Sequence, residues 1–426
     1  MMIERLMVAG GGTGGHLFPG LAVVEELRRR VPGLEVRFVG TARGIESRIL
    51  PERGETLDLL EVTPLKGQGL GARVKSFSRI PGAMSEAASL IRSFNPDLVL
   101  GVGGYASGPV LLAATLAGRP SAVLEQNAYV GMTNRILARF VDRAYISFPQ
   151  TETVFGRSKS VLTGNPVRQE FVEHARLAVA DPEGFEARAR NVLVLGGSQG
   201  ARKLNEDVPK ALARAGISGS GLHVVHQTGQ SMRDDVEQAY RELGIDAEVV
   251  TFIDDMARAY SNAALVVARA GATTLAELCA IGRPSILIPF PFAADDHQAK
   301  NAEALAAQGA SLCIRESDLD PEALGDTVKD LLVDESRRRS MAESARQHGR
   351  PDAAAAIVDD MLGWLGGSQP SGTTESSKPE GASRETPHRA QGAVAGLYRP
   401  LTAEIIARPV SRRARRPVVV DGAVWE

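Results

Sequence analysis

Five of the six residues from Gly10 to Gly15 are glycine, and they follow the apolar run Leu6-Met7-Val8-Ala9 without a break. An amphipathic stretch, Leu17 to Arg30, comes next. Few folds accept a strand that ends in this way. Glycine lets successive backbone N–H groups converge on an anion, and a helix that starts there adds partial positive charge. A tight strand-to-helix turn alone needs one or two glycines, so a run of this length favours an anion site. The spacing is not the dinucleotide fingerprint with an acidic residue on the second strand, which speaks against a nicotinamide cofactor.

The strand–turn–helix unit recurs. Val36 to Val39 reads as a strand and Gly44 to Arg53 as a helix. Leu98-Val99-Leu100 runs into a second glycine loop, Gly101 to Gly108, then a helix from Ser107 to Ala117 and the strand Ser121 to Leu124. Nearly continuous apolar strands alternating with helices predict a parallel sheet covered on both faces. The pattern then restarts with the strand Asn191 to Leu195, the turn Gly196 to Gly200 and a helix from Ala201 to Arg214. Further strands are expected at Leu222–Val225, Glu248–Val250, Leu265–Ala268 and Ser285–Ile288. The fold class is therefore α/β, with two Rossmann-like domains facing across a cleft. The hinge is expected at Thr163-Gly164-Asn165-Pro166. Residues 1–164 form the first domain in this layout and 165–350 the second. Residues 351–365 form a helix returning to the first domain, and 366–426 a disordered tail.

A length of 426 residues suits two cores. A net charge of −2 argues against nucleic acid held by a global positive field. Cys279 and Cys313 are the two cysteines, too few for a disulfide framework, and read as small buried hydrophobes. The N-terminus lacks the features of a signal peptide. The apolar run 109–117 is short of the ~20 residues that span a bilayer, so the chain is expected to be intracellular and at most peripheral on a membrane. Two segments bear on that. In Leu65 to Ile80, Leu70, Val74 and Phe77 recur at helical spacing among Lys66, Arg73, Lys75 and Arg79, which suits either a surface helix or an anionic leaflet. The tail carries Arg412, Arg413, Arg415 and Arg416, either solvated or touching lipid.

Two positions invite chemistry. His16, beside the first loop, is either a helix-start residue or a base for an acceptor hydroxyl, since its ordinary pKa is near neutrality. In Arg269 to Glu277 a strand leads into a helix, and Thr274 and Glu277 have capping-box spacing. The same helix start also suits a diphosphate, with Glu277 on a ribose. Asp318-Leu319-Asp320 looks like a metal-carrying pair but precedes Pro321, so capping explains it and no metal is assigned.

These motifs resemble the MurG family of peptidoglycan glycosyltransferases. Gly11 to His16 with Phe18-Pro19-Gly20, Gly103-Gly104-Tyr105, Glu125-Gln126-Asn127, Gly164 to Arg168, Gly196 to Ala201, the segment through Glu277, and Asp295 to Gln298 match it in order, over about 3–364. The resemblance implies a GT-B fold without a cofactor. It implies inverting transfer of N-acetylglucosamine from UDP-GlcNAc to the C4 hydroxyl of MurNAc in undecaprenyl-pyrophosphoryl-MurNAc-pentapeptide. It implies donor contacts at Thr13, Gly14, Gly15, Asn127, Arg168, Ser198, Ile253, Ala272, Thr273, Thr274, Leu275, Ala276, Glu277 and Gln298. Among these, Ile253 would meet the uracil, Glu277 the ribose and Gln298 the transferred sugar. His16 is the candidate catalytic base. The implied location is the cytoplasmic face of the plasma membrane, with an anionic membrane surface and cell-wall assembly proteins as partners. Leu124 stands where some relatives carry a histidine, so it supplies no base, and the tail has no counterpart. The competing readings are a diacylglycerol glycosyltransferase, a UDP-GlcNAc 2-epimerase and a non-enzymatic nucleotide-binding scaffold.

Overall fold

A computed structural model describes residues 3–62, 70–197 and 200–366; the side chains of 70–80 are outside that description. The expectations for the Leu65 to Ile80 stripe, for Ser198 and for the arginine-bearing tail therefore fall outside the described residues.

The first domain runs β1 (Arg5–Gly10), α1 (Gly14–Arg30), β2 (Glu35–Gly40), α2 (Glu46–Glu52), β3 (Leu57–Leu59), α3 (Leu70–Phe94), β4 (Leu98–Gly103), α4 (Ser107–Leu116), β5 (Ser121–Glu125), α5 (Met132–Leu137), β6 (Arg143–Ile146), α6 (Glu152–Phe155) and β7 (Ser160–Leu162). Its strands form a parallel sheet in the order β3-β2-β1-β4-β5-β6-β7. The second domain opens with α7 (Gln169–Ala180) and α8 (Pro182–Ala187). It continues through β8 (Asn191–Leu195), α9 (Arg202–Arg214), β9 (His223–Gln227), α10 (Arg233–Glu242), β10 (Ala247–Val250), α11 (Met256–Ser261), β11 (Ala263–Ala268) and α12 (Ala272–Ile281). It ends with β12 (Ser285–Leu287), α13 (His297–Ala306), β13 (Leu312–Cys313), α14 (Pro321–Val333) and α15 (Glu335–His348). Its sheet, also parallel, has the order β10-β9-β8-β11-β12-β13.

Each central strand is apolar on both sides because each sheet is covered on both faces. Leu6 and Val8 point into one core of the first domain, Met7 and Ala9 into the other. Val192 and Val194 part from Leu193 and Leu195 in the same way in the second domain.

In both sheets the chain order reverses beside the first strand, between β1 and β4 and between β8 and β11. Such a switch point leaves a crevice at the strand C-termini, where ligands of open α/β sheets bind. The glycine loops stand at those ends.

The last described helix, α16 (Ala353–Gly366), leaves the second domain and packs on α1. Ile357, Val358, Met361 and Leu365 are buried in the first domain's core. The chain thus crosses between the domains twice, and the crossings touch. Gly164, at φ +85°, lies so near Arg350 that a Cβ there would be 2.5 Å from the arginine's own Cβ. Asp320 caps α14, accepting from the Ala323 N–H at 2.9 Å. Cys279 is buried, but Cys313 is only half-buried, because it lies on the two-residue edge strand β13. Among the described residues no helix is long and apolar enough to cross a membrane.

Candidate functional site

The first glycine loop departs from expectation in which amides it offers. The Gly11 N–H donates to the Gly103 carbonyl at 3.1 Å and the Gly12 N–H to the Glu46 carboxylate at 2.6 Å. These amides face inward and hold the loop together. The loops of β1 and β4 interlock, since a Cβ on Gly104 would lie 2.5 Å from the Gly11 carbonyl oxygen. The donors left over are at the start of α1: among the described residues, the Thr13, Gly14 and Gly15 N–H groups have no partner. The amides open to an anion in the first domain are therefore those of Thr13–Gly15, with the helix dipole behind them, rather than those of Gly11 and Gly12.

Proline inside α1 opens one further group. Pro19 has no N–H to return to the Gly15 carbonyl, four residues back, so that oxygen is free of the helix ladder. It accepts instead from Thr273 Oγ1 of the second domain at 3.4 Å. Thr273 stands in the first turn of α12, whose Ala272, Thr273 and Thr274 N–H groups also lack partners among the described residues. Two uncapped helix N-termini, one per domain, thus meet across the cleft.

The capping-box explanation of Thr274 and Glu277 is not what forms. The helix begins at Ala272 with Gly271 as its cap residue, and no side chain caps it. Thr274 bonds the Tyr260 side chain instead. Glu277 is buried and faces Arg168, with 3.4 Å between Oε1 and Nη2. Burial outweighs this arginine and pushes the Glu277 carboxyl up to about 7. Arg168 also pairs with Glu170 at 3.2 Å and stacks on Phe18 and Phe171, while its Nε is buried without a partner. Leu275 and Ala276 continue α12, Leu275 into the core.

His16 lies in the first turn of α1, half-buried. Its Nδ1 donates to the Gly11 carbonyl at 3.1 Å, which leaves Nε2 unprotonated in the neutral ring. The ring rests on Gly103, where a Cβ would come within 2.7 Å of Cδ2. Burial lowers the His16 pKa, the Gly11 bond opposes this, His297 lowers it further and Glu46 raises it. The ring is therefore held in the form that accepts a proton.

Three further predicted residues, Asn127, Gln298 and Ile253, make the following contacts. Asn127 Oδ1 accepts from Asn301 Nδ2 of α13 at 3.2 Å, and Asn301 Oδ1 accepts the Ala128 N–H at 2.8 Å. Gln298 Oε1 accepts the Phe290 N–H at 3.0 Å, which leaves its amide nitrogen as donor. Ile253, three residues past β10, gives its N–H to Gln227 Oε1 at 3.2 Å.

Sequence reasoning missed three residues here. Glu46 braces the first loop. Glu125 accepts from the Asn127 and Gly131 N–H groups and from Asn134 Nδ2, at 3.1–3.2 Å, and so shapes the loop after β5. Asn301 ties that loop to the second domain. Glu125 stood inside a quoted motif; Glu46 had a signal in the glycines around it, Gly40 and Gly44.

Comparison with known proteins identifies the family. Residues 6–146 match the glycosyltransferase family 28 N-terminal domain and 191–357 its C-terminal domain. The UDP-N-acetylglucosamine–N-acetylmuramyl-(pentapeptide) pyrophosphoryl-undecaprenol N-acetylglucosamine transferase of Geobacter sulfurreducens is 46% identical over 358 residues, covering 84% of this chain and 98% of that protein. Its counterpart in Myxococcus xanthus is 47% identical over 355 residues, 83% and 91% of the two chains. Among solved structures, Acinetobacter baumannii MurG superposes with a TM-score of 0.68 at 33% identity, covering 84% of this chain and 98% of that one. A UDP-GlcNAc 2-epimerase from Neisseria meningitidis reaches 0.58 at 14% identity over 84% and 99%, a likeness of fold alone.

Proposed function

The chain belongs to the MurG family of glycosyltransferases, and from that premise we propose how its own residues carry the family's reaction. The reaction moves N-acetylglucosamine from UDP-GlcNAc to the C4 hydroxyl of MurNAc in undecaprenyl-pyrophosphoryl-MurNAc-pentapeptide, turning lipid I into lipid II. The observation that carries the proposal is the meeting of two open helix N-termini, those of α1 and α12, across one cleft.

The donor lies against the second domain. Ile253 borders the uracil, Glu277 accepts from the ribose hydroxyls, and the amides of Ala272, Thr273 and Thr274 meet the diphosphate. Gln298 gives its free amide nitrogen to the transferred sugar, Asn127 and Ser198 complete the donor's surroundings, and Thr13, Gly14 and Gly15 bound it from the first domain. Leu275 and Ala276 hold the helix in place.

His16 Nε2 takes the proton of the acceptor C4 hydroxyl as that oxygen attacks the anomeric carbon. The bond to UDP breaks on the opposite side, so the α donor gives a β product. Negative charge grows on the departing diphosphate, where the N-terminus of α12 contributes about 0.3–1 kcal/mol if exposed and up to ~2 if partly buried. Arg168 adds a fixed donor in a dry site, worth on the order of 3 kcal/mol.

The acceptor's lipid is reached from the cytoplasmic side of the plasma membrane without insertion. Leu116, Met132, Ile136 and Phe140 are exposed on the first domain, with Arg135 and Arg139 beside them, a composition suited to an anionic leaflet.

The test is incubation with radiolabelled UDP-GlcNAc and a lipid-linked MurNAc-pentapeptide. Label in the lipid fraction, with UDP released, is the expected result. Label recovered only as free UDP-sugar epimer, with or without the lipid, would overturn the proposal.

A further inference from the structure

Glu46 opens α2 at the surface end of a loop, yet its side chain is 1% exposed. It turns back under the first glycine loop. Oε2 accepts the Gly12 N–H at 2.6 Å, and Oε1 accepts both the Thr41 N–H at 2.9 Å and the Thr41 hydroxyl at 3.0 Å. Three glycines keep this space open. A Cβ on Gly11 would lie 2.5 Å from the Glu46 Cδ, one on Gly40 2.5 Å from its Cγ, and one on Gly44 2.0 Å from Oε2. The glycines of the β1 and β2 loops thus enclose a carboxylate of the chain's own, in the place the sequence reserves for a ligand's anion.

We propose that Glu46 is a positioning residue for the transfer: its carboxylate clamps the Gly12 and Thr41 amides together and so sets the angle at which His16 and the Thr13–Gly15 amides enter the cleft. The role rests on the reading of His16 as the base. Each carboxylate oxygen receives a backbone N–H, and only an acceptor on both sides satisfies that arrangement. A glutamine of the same shape would turn its NH2 towards one of the two donors. The clamp reaches His16 through the backbone, because the Gly11 carbonyl that fixes the ring's tautomer is adjacent to Gly12. It also reaches it through space. The charged groups that act on His16 are Glu46, from α2, and His297, from α13; Glu46 raises the imidazole pKa and His297 lowers it.

Three variants of the full chain test this: Glu46→Gln, Gly44→Ala and His16→Ala. For each, kcat at saturating donor is followed against pH, and UDP binding is measured by calorimetry to verify a folded second domain. Glu46→Gln is expected to lower kcat about 10–100-fold, at or below the ~10²–10⁴-fold that general-base catalysis supplies, with UDP affinity changed much less, since the α12 end is untouched and only the Thr13–Gly15 amides shift. Its acid limb moves to lower pH, because a negative charge beside the imidazole has gone. Gly44→Ala removes no polar group; its methyl displaces the carboxylate, so kcat falls here too. A Glu46→Gln enzyme with wild-type kcat and an unmoved acid limb overturns the proposal. His16→Ala tests the underlying reading separately. Normal turnover there overturns the base assignment, and a crippled His16→Ala beside an unaffected Glu46→Gln overturns only the role of Glu46.

Discussion

At Glu277, burial and a neighbouring charge pull in opposite directions. Its carboxyl is driven up to about 7 by burial, although Arg168 lies 3.4 Å away. A folded pKa above the ordinary 4.5 means the group favours the folded chain at low pH, and that contribution is lost as pH rises through about 7. In the proposed site donor binding has the opposite sign, because ribose hydroxyls would donate to the ionised form. UDP affinity should therefore rise between pH 6 and 8 in calorimetric titrations, and Glu277→Gln should flatten that dependence. An equal slope in the variant would remove Glu277 from the ribose. Glu277→Ala should raise the KM for UDP-GlcNAc about tenfold or more, the loss of hydrogen bonds to a charged acceptor at ~1.5–3 kcal/mol. Of the residues that line the candidate site, the sequence singled out those beside a glycine loop or within a family motif: His16, Asn127, Arg168, Glu277. Glu46 and Asn301 were not singled out, because each acts on a partner remote in sequence, 34 and 174 positions away. Spacing along a chain carries no trace of such pairs, beyond the glycines Gly40 and Gly44 that leave room for Glu46.

At the level of elements, most strands were legible because their apolar runs reflect burial on both faces, and β8 falls on the very residues expected, Asn191–Leu195; the short strands β3, β6, β7 and β13 were not anticipated. Helix starts were read less well. α1 begins at Gly14, three residues ahead of its apolar stretch, since packing against the interlocked loops overrides the poor helix propensity of Gly14 and Gly15. Of the two readings left open for Thr274 and Glu277, the capping box does not form for a related reason: α12 starts on Ala272, uncapped, with its first amides at the cleft. The interlock of the β1 and β4 loops gives a prediction at this scale. Gly104 has φ +85° and faces the Gly11 carbonyl, so Gly104→Ala combines backbone strain with a clash against backbone. Stability should fall by about 1–3 kcal/mol in urea titrations, and kcat should fall with it because His16 rides on the displaced loop. Wild-type kcat in a folded variant would mean the loops are not coupled to the site.

For the molecule as a whole, the two-domain plan was legible because the strand–glycine–helix pattern restarts at Asn191. The return of α16 to the first domain was expected as well; the tie through Asn301 was not, because it depends on which side chains of α13 face the other lobe. Met361 tests the return of α16. It is fully buried in the first domain's core, and Met361→Ala should cost ~2–5 kcal/mol. The loss should fall on the first domain, so hydrogen exchange should quicken in β1 and α1 while β8 and β11 keep their protection. Equal acceleration of both sheets would show one cooperative unit instead. The return of α16 also orders events during synthesis. The second domain is continuous in sequence, so a nascent chain can complete it as soon as α15 clears the ribosome. The first domain, though made earlier, waits for α16 to emerge before its core closes, so the half of the enzyme translated second is the half able to finish folding first.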